Sequence, residues 1–340
     1  MNFSNLEKFL DYLTEWRIPG VDCTVHLRYK EIFRHQAGYS DMEHKIAMTP
    51  DRTYFLYSAS KVITCVAALQ LYEQGKFLLT EPVFKYIPSF KDMYVKKHDG
   101  SLKKAEMHIK IRDLFTMCGG LTYDIWSPSI MKLRQDTDGN CNTAQVIDAI
   151  ANEPLIFEPG THWNYSLCHD VIGRLIEVVS GMTFGDYLQK SIFDPLEMSD
   201  TGFKLTSERV ERLSSLYRYN DETDKVELQP KELVYKLGKG YESGGAGLIS
   251  TVDDYIKFAD MMANGGIGAN GVRCISSAAI DLMRTNQLGE TQLHDFNWEQ
   301  MTGYGYGLGV RTLINKAVSG SLGSLGEFGW GGAAGAYVLI

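Results

Sequence analysis

Between residues 62 and 71 only Thr64 and Gln70 are polar, and Gly75 stands where a helix would stop. A helix that is apolar nearly all round is buried on every side, and glycine is favoured just past a helix C-terminus. The pattern therefore predicts a central buried helix. Upstream, residues 1–16 set Glu7, Lys8, Asp11 and Glu15 among apolar positions, as in an amphipathic surface helix. Residues 20–37 alternate instead, with Val21, Cys23, Val25, Leu27, Ile32 and Phe33 at the apolar positions, which predicts two antiparallel strands. Residues 53–56 form an extended lead into Ser58. Pro82, Pro88 and the charged stretch 91–110 break the periodicity. Helical spacing returns at 111–117, 143–151, 166–180 and 183–193, and again at 253–263. Strand-like alternation closes the chain at 304–313 and 329–340, around a Gly/Ser-rich turn at 320–326.

The simplest arrangement of these elements is an α/β fold in which both chain ends build an antiparallel sheet flanked by helices. Residues 1–90 and 205–340 would form the sheet domain, and residues 91–204 a mostly helical inserted domain.

Composition narrows the function. The 340 residues are 44% hydrophobic and 22% charged, which is ample for a large core. A net charge of −8 argues against nucleic acid or an anionic membrane as partner, and no apolar run approaches a membrane span. The N-terminal segment lacks the pattern of a secretory signal. Six dispersed cysteines show no metal or redox spacing and fit free thiols in a reducing cytoplasm. The eight histidines are equally scattered, so no metal and no cofactor are expected. The Gly-x-Gly-x-x-Gly at 266–271 follows a helical segment and precedes none, so it reads as a turn. No Gly-x-Ser-x-Gly elbow is present.

The chemistry points to Ser58-Ala59-Ser60-Lys61, at the entry to the buried helix. Residues three apart share a helix face, so the Lys61 amine reaches the Ser58 hydroxyl. A serine needs a neighbouring base, and burial among apolar side chains would disfavour the charged form of Lys61. Ser58 in the first helical turn would also feel unpaired N–H groups and the positive end of the dipole. A second match, Ser101-Leu102-Lys103-Lys104, falls in a polar, charged stretch and reads as a solvated loop. Tyr165, ahead of the helix at 166–180, supplies a phenol that near a lysine can relay a proton.

Taken in order, Ser58-Ala59-Ser60-Lys61, Leu71-Tyr72-Glu73-Gln74-Gly75-Lys76, Ile111-Arg112-Asp113-Leu114-Phe115-Thr116, Glu158-Pro159-Gly160, Tyr165-Ser166-Leu167, Gly244-Gly245-Ala246-Gly247-Leu248 and Gly329-Trp330-Gly331-Gly332 form a specific set. The chain resembles the serine β-lactamase-like hydrolases related to class C β-lactamases and D-alanyl-D-alanine peptidases, and is most similar to the family VIII carboxylesterases. The resemblance implies a β-lactamase/transpeptidase-like fold with the active site between the two domains. It makes Ser58 the acylated nucleophile, Lys61 its proton acceptor, and Tyr165 the residue that protonates the leaving group and later activates water. One half of the oxyanion hole would be the N–H of Ser58. The other would come from the strand of Trp330, Gly331 and Gly332, through the N–H of Ala333.

Two departures shape the expected substrate. Leu167 and Trp330 stand where the lactamase pattern has asparagine and lysine, removing an amide and a cation that would hold an amide side chain and a carboxylate. Both favour an apolar acyl or alcohol group, and leave β-lactam hydrolysis as a side activity at most. The resemblance also implies that a further strand and a terminal helix would follow Ile340. The expected activity is a cytoplasmic serine esterase on small-molecule esters. The alternatives are acyl transfer from the same acyl-enzyme, a β-lactamase or D-amino-acid peptidase, and a non-catalytic binding protein. Tyr123, Trp126 and Trp163 are candidate pocket walls. Oligomeric state is left open.

Overall fold

The computed structural model describes residues 1–340. Helix α1 (Ser4–Trp16) lies on a hairpin of β1 (Gly20–Leu27) and β2 (Lys30–Asp41), to which β3 (Ile46–Ala47) adds a short edge. The hairpin turns through Arg28 and Tyr29, both with positive φ (50° and 64°). A two-residue loop with that left-handed pair matches the right-handed twist of the strands it joins. Next, β4 (Tyr54–Phe55) leads through a 3₁₀ turn at Tyr57–Ala59 into α2 (Ser60–Glu73).

Helix α2 is the predicted central helix. Every residue from Ser60 to Leu71 is buried, and Gly75 follows with φ 70°. It packs against the helix at Cys168–Ser180 inside a cluster of 66 buried hydrophobic residues that runs from Leu56 to Val338. A smaller cluster of Phe55, Tyr57, Leu213 and Ile249 lies beside it.

The middle of the chain carries the hairpin β5 (Tyr94–Lys96) and β6 (Leu102–Lys104), then α3 (Ile111–Phe115), α4 (Pro128–Asp136), α5 (Thr143–Ala151) and α6 (Cys168–Ser180). Helix α7 (Phe184–Leu188) runs on into a π turn at Gln189–Phe193. The predicted helix at 143–151 matches α5 residue for residue, because Asn142 and Gln145 form a reciprocal capping pair that fixes its start. Helix α6 ends at Gly181 in the left-handed conformation.

The last third holds α8 (Ser207–Arg212), the hairpin β7 (Leu216–Asn220) and β8 (Lys225–Gln229), and β9 (Ile249–Ser250), which pairs with β4. Helices α9 (Val252–Ala263), α10 (Ser277–Arg284) and α11 (Glu290–Asp295) follow, with α9 packed on β1. Strands β10 (Tyr304–Tyr306) and β11 (Arg311–Leu313), helix α12 (Lys316–Ser319), and strands β12 (Phe328–Gly331) and β13 (Tyr337–Leu339) complete the chain.

The strands of the two chain ends form two antiparallel ladders, β1-β2-β3 and β10-β11-β12-β13. Strands β1 and β13 each pair on one side only. No helix is long and apolar enough to cross a membrane.

Since α2 has no solvent face, truncating Leu69, which is fully buried, should cost about 2–5 kcal/mol. Urea unfolding of Leu69→Ala should show the midpoint falling accordingly; a loss well under 1 kcal/mol would mean that α2 is not the centre of the core.

Candidate active site

Ser58 does not lie in the α-helix. It occupies the 3₁₀ turn just before α2, and its predecessor Tyr57 is held at φ 45°. A bulky residue in the left-handed region is strained by about 1–3 kcal/mol and persists only where packing dictates it. Here the Tyr57 ring sits edge-on against Phe55 and Tyr235, with centroids 6.1 and 5.7 Å away. Beyond the turn the chain stays in helical conformation through Ala59 and Ser60, so Lys61 still comes back over Ser58.

Lys61 has no solvent exposure. Its Nζ donates to Ser58 Oγ at 3.2 Å, Tyr123 OH at 3.3 Å and the Gly245 carbonyl at 2.6 Å. An ammonium has three N–H donors, and all three are used. The expected loss of charge is therefore overturned. Burial works against the ammonium, but the carboxylate of Asp170 and, once ionised, the phenols of Tyr123 and Tyr165 outweigh it, and the Lys61 pKa stands above the ordinary lysine value.

Tyr165 presents its face to the same ammonium, 4.7 Å from ring centroid to Nζ. It stacks parallel to Tyr123 at 5.2 Å and 3°. Main-chain and amide bonds hold the two segments together: Asn164 N–H donates to the Met117 carbonyl, its side-chain amide to the Leu121 carbonyl, and Leu167 N–H to the Thr122 carbonyl. Burial pushes the Tyr123 phenol above its usual pKa, so it is neutral near pH 7. On the other side of Tyr165, the indole N–H of Trp330 donates to the phenol oxygen at 3.3 Å. Trp298, partly exposed, packs edge-on against Tyr165 at 5.4 Å.

The strand carrying Trp330 reaches Ser58 through its glycines. A β-carbon on Gly332 would lie 2.2 Å from the Leu56 carbonyl, so only glycine lets β12 approach the turn this closely. Gly332 N–H closes the β12-β13 turn on the Ala336 carbonyl. The N–H groups of Ser58 and Ala333 donate to no protein acceptor.

Leu167 is placed differently from expectation. It precedes α6 and is buried, beside a small cleft that Leu121, Ile130, Ile150, Asp124 and Glu153 also border. Trp126 is exposed on the surface, whereas Trp163 packs beneath Tyr165. The second Ser-x-x-Lys is solvated as expected, with Lys103 and Lys104 exposed and paired to Glu106 and Asp92. A groove of about 570 Å³ bordered by Arg174, Glu177 and Glu242 shares no residue with this cluster. His169, adjacent in sequence to Asp170, is fully buried and pushed down to about 3, chiefly by burial and then by the Lys61 charge. It stays neutral, bonded to the Phe115 carbonyl.

Sequence reasoning missed the acceptor role of Gly245 and the buried Asp170. The glycine-rich run at 244–248 was legible as a motif, but its main-chain contacts were not. Gly245 lies 184 residues from Lys61 in sequence.

Residues 6–340 match the model of the Beta-lactamase family. The chain belongs to that family. It is 27% identical over 349 residues to Esterase EstB of Burkholderia gladioli, covering 95% of this chain and 83% of that protein. Among solved structures it is similar to EstCE1, described as a hydrolase with promiscuous acyltransferase activity, at 25% identity and TM-score 0.78 over 97% of this chain and 88% of that one. Simvastatin Synthase (LovD) from Aspergillus terreus shares the fold at TM-score 0.79 and 20% identity, over 98% of this chain and 88% of that chain. The fold is thus β-lactamase/transpeptidase-like, mixing helices with antiparallel sheets.

Gly332→Ala must push β12 off the turn that carries Ser58. The strain should cost about 1–3 kcal/mol, read as a lower urea midpoint, and slow the labelling of Ser58 by a fluorophosphonate probe. Unchanged labelling and stability would contradict the close approach.

Proposed function

We propose that this protein is a serine hydrolase that cleaves small carboxylic esters through a covalent acyl-enzyme on Ser58. The observation that carries this reading is the 3.2 Å contact between Lys61 Nζ and Ser58 Oγ in a frame where the amine is fully buried. When Lys61 gives up one proton, its two remaining N–H bonds can stay on Gly245 and Tyr123, leaving the lone pair directed at Ser58. The amine then takes the hydroxyl proton as the serine oxygen attacks the ester carbonyl carbon. Negative charge moves to the former carbonyl oxygen, which the free N–H groups of Ser58 and Ala333 receive beside Trp330, Gly331 and Gly332.

Tyr165 passes the proton to the departing alcohol and afterwards takes one from the water that releases the acid. The indole N–H of Trp330 holds the phenol oxygen in place for both tasks. Similarity to EstB, an esterase, supports ester cleavage. Trp330 fits the same reading, since a buried indole stands where a carboxylate-binding cation would serve a lactamase or D-amino-acid peptidase. The likeness to EstCE1 favours one further reading, in which an alcohol or amine in place of water resolves the same acyl-enzyme. No step calls on a cofactor. The free cysteines support a cytoplasmic setting.

Hydrolysis of p-nitrophenyl butyrate tests this. Ser58→Ala should lower kcat by at least about a thousandfold in a protein that still folds, and nitrocefin should be turned over far more slowly than the ester. Full ester turnover by Ser58→Ala would refute the assignment, and faster nitrocefin cleavage would move it to a β-lactamase.

A further inference from the structure

Behind Lys61 lies a carboxylate to which the reaction just described gives no task. Asp170, in the first turn of α6, is 1% exposed. Its Oδ1 accepts from Tyr241 OH at 2.5 Å, Ser243 OH at 2.6 Å and Gly245 N–H at 3.3 Å. Its Oδ2 is equally buried and has no donor at all. An isolated buried carboxylate is too costly to persist without a compensating charge.

Gly245 shows where that charge is. A β-carbon at Gly245 would lie 2.5 Å from Asp170 Oδ2 and 3.4 Å from Lys61 Nζ. The missing side chain leaves a gap across which the carboxylate and the ammonium face each other, with no direct bond between them. Gly245 itself joins both groups, since its N–H donates to Asp170 and its carbonyl accepts from Lys61.

We propose that Asp170 is the fixed counter-charge of Lys61, a positioning residue that acts through Gly245 and sets the pH at which the amine becomes available to Ser58. This rests on the reading of Lys61 as the proton acceptor of Ser58. The groups around Nζ come from four segments. Tyr123 lies ahead of α4, Tyr165 ahead of α6, Asp170 and His169 on α6, and Tyr235 and Tyr241 ahead of β9, while Cys65 shares α2 with the lysine. Asp170 is the one carboxylate among them. Burial raises the phenols of Tyr123, Tyr235 and Tyr241 and the Cys65 thiol above their usual values, and His169 is neutral. Two unit charges four to six ångströms apart, at the effective dielectric typical of proteins, shift one another by about two to three pKa units.

Asp170→Asn removes the charge while leaving an oxygen for the three Oδ1 donors. The test pairs the pH profile of kcat/KM for p-nitrophenyl butyrate with NMR titration of the Lys61 ε-carbon, assigned by its loss in Lys61→Met. In Asp170→Asn both the acid limb and the Lys61 titration should move down by about two to three pH units, and the folded variant should melt at a lower temperature. If neither moves in a folded variant, Asp170 only packs and the proposal fails. A Lys61 shift without movement of the acid limb would uphold the counter-charge and refute Lys61 as the base. Should Asp170→Asn not fold, the wild-type titration decides: Lys61 titrating above the free lysine value supports the proposal, and at or below it overturns the proposal.

Discussion

A fully buried ammonium must have each N–H accepted and its charge balanced, and the surroundings of Lys61 follow from that requirement. The three acceptors come from three separate stretches: Ser58 from the turn before α2, Tyr123 from the segment ahead of α4, and Gly245 from the glycine run before β9. Each is fixed by contacts of its own. The run at 244–248 is laced to α2 by Thr64 OH on the Gly244 carbonyl and by Leu248 N–H on Ser60 Oγ. Tyr255 OH closes the turn from the other side by donating to the Ala59 carbonyl. Moving any one stretch would leave a buried donor or acceptor without a partner, which costs about 1–3 kcal/mol per group.

Close backbone approach is the second constraint. Gly245 keeps room between Asp170 and Lys61, and Gly332 lets β12 touch Leu56. At both positions the absence of a side chain brings two distant parts of the chain to the same serine. The strain at Tyr57 belongs to this arrangement, because the left-handed residue turns the chain from β4 into the helix so that Ser58 faces the lysine.

Much of this was legible in the sequence. The apolar run at 62–71 could only be a buried helix, and the ordered motifs pointed to Ser58, Lys61 and Tyr165. What could not be read had physical reasons. The local pattern cannot distinguish a 3₁₀ turn from a first helical turn, so Ser58 was expected one element too late. Burial alone lowers a lysine pKa, and the opposing groups, Asp170 and the two phenols, are distant in sequence. Leu167 reads as a pocket residue by position and is buried beside Leu121, Ile130 and Ile150. The hairpin β5-β6 is short and largely polar, so little alternation marks it, whereas β8 does alternate over Lys225–Gln229 and was legible.

The central claim is that this arrangement makes Ser58 the nucleophile. It is tested most directly by treating the protein with diethyl p-nitrophenyl phosphate and mapping the adduct by peptide mass spectrometry. The account predicts one diethylphosphoryl group, carried by Ser58, with its formation slowed sharply in Lys61→Met. A folded protein that stayed unlabelled, or that carried the group elsewhere, would contradict it.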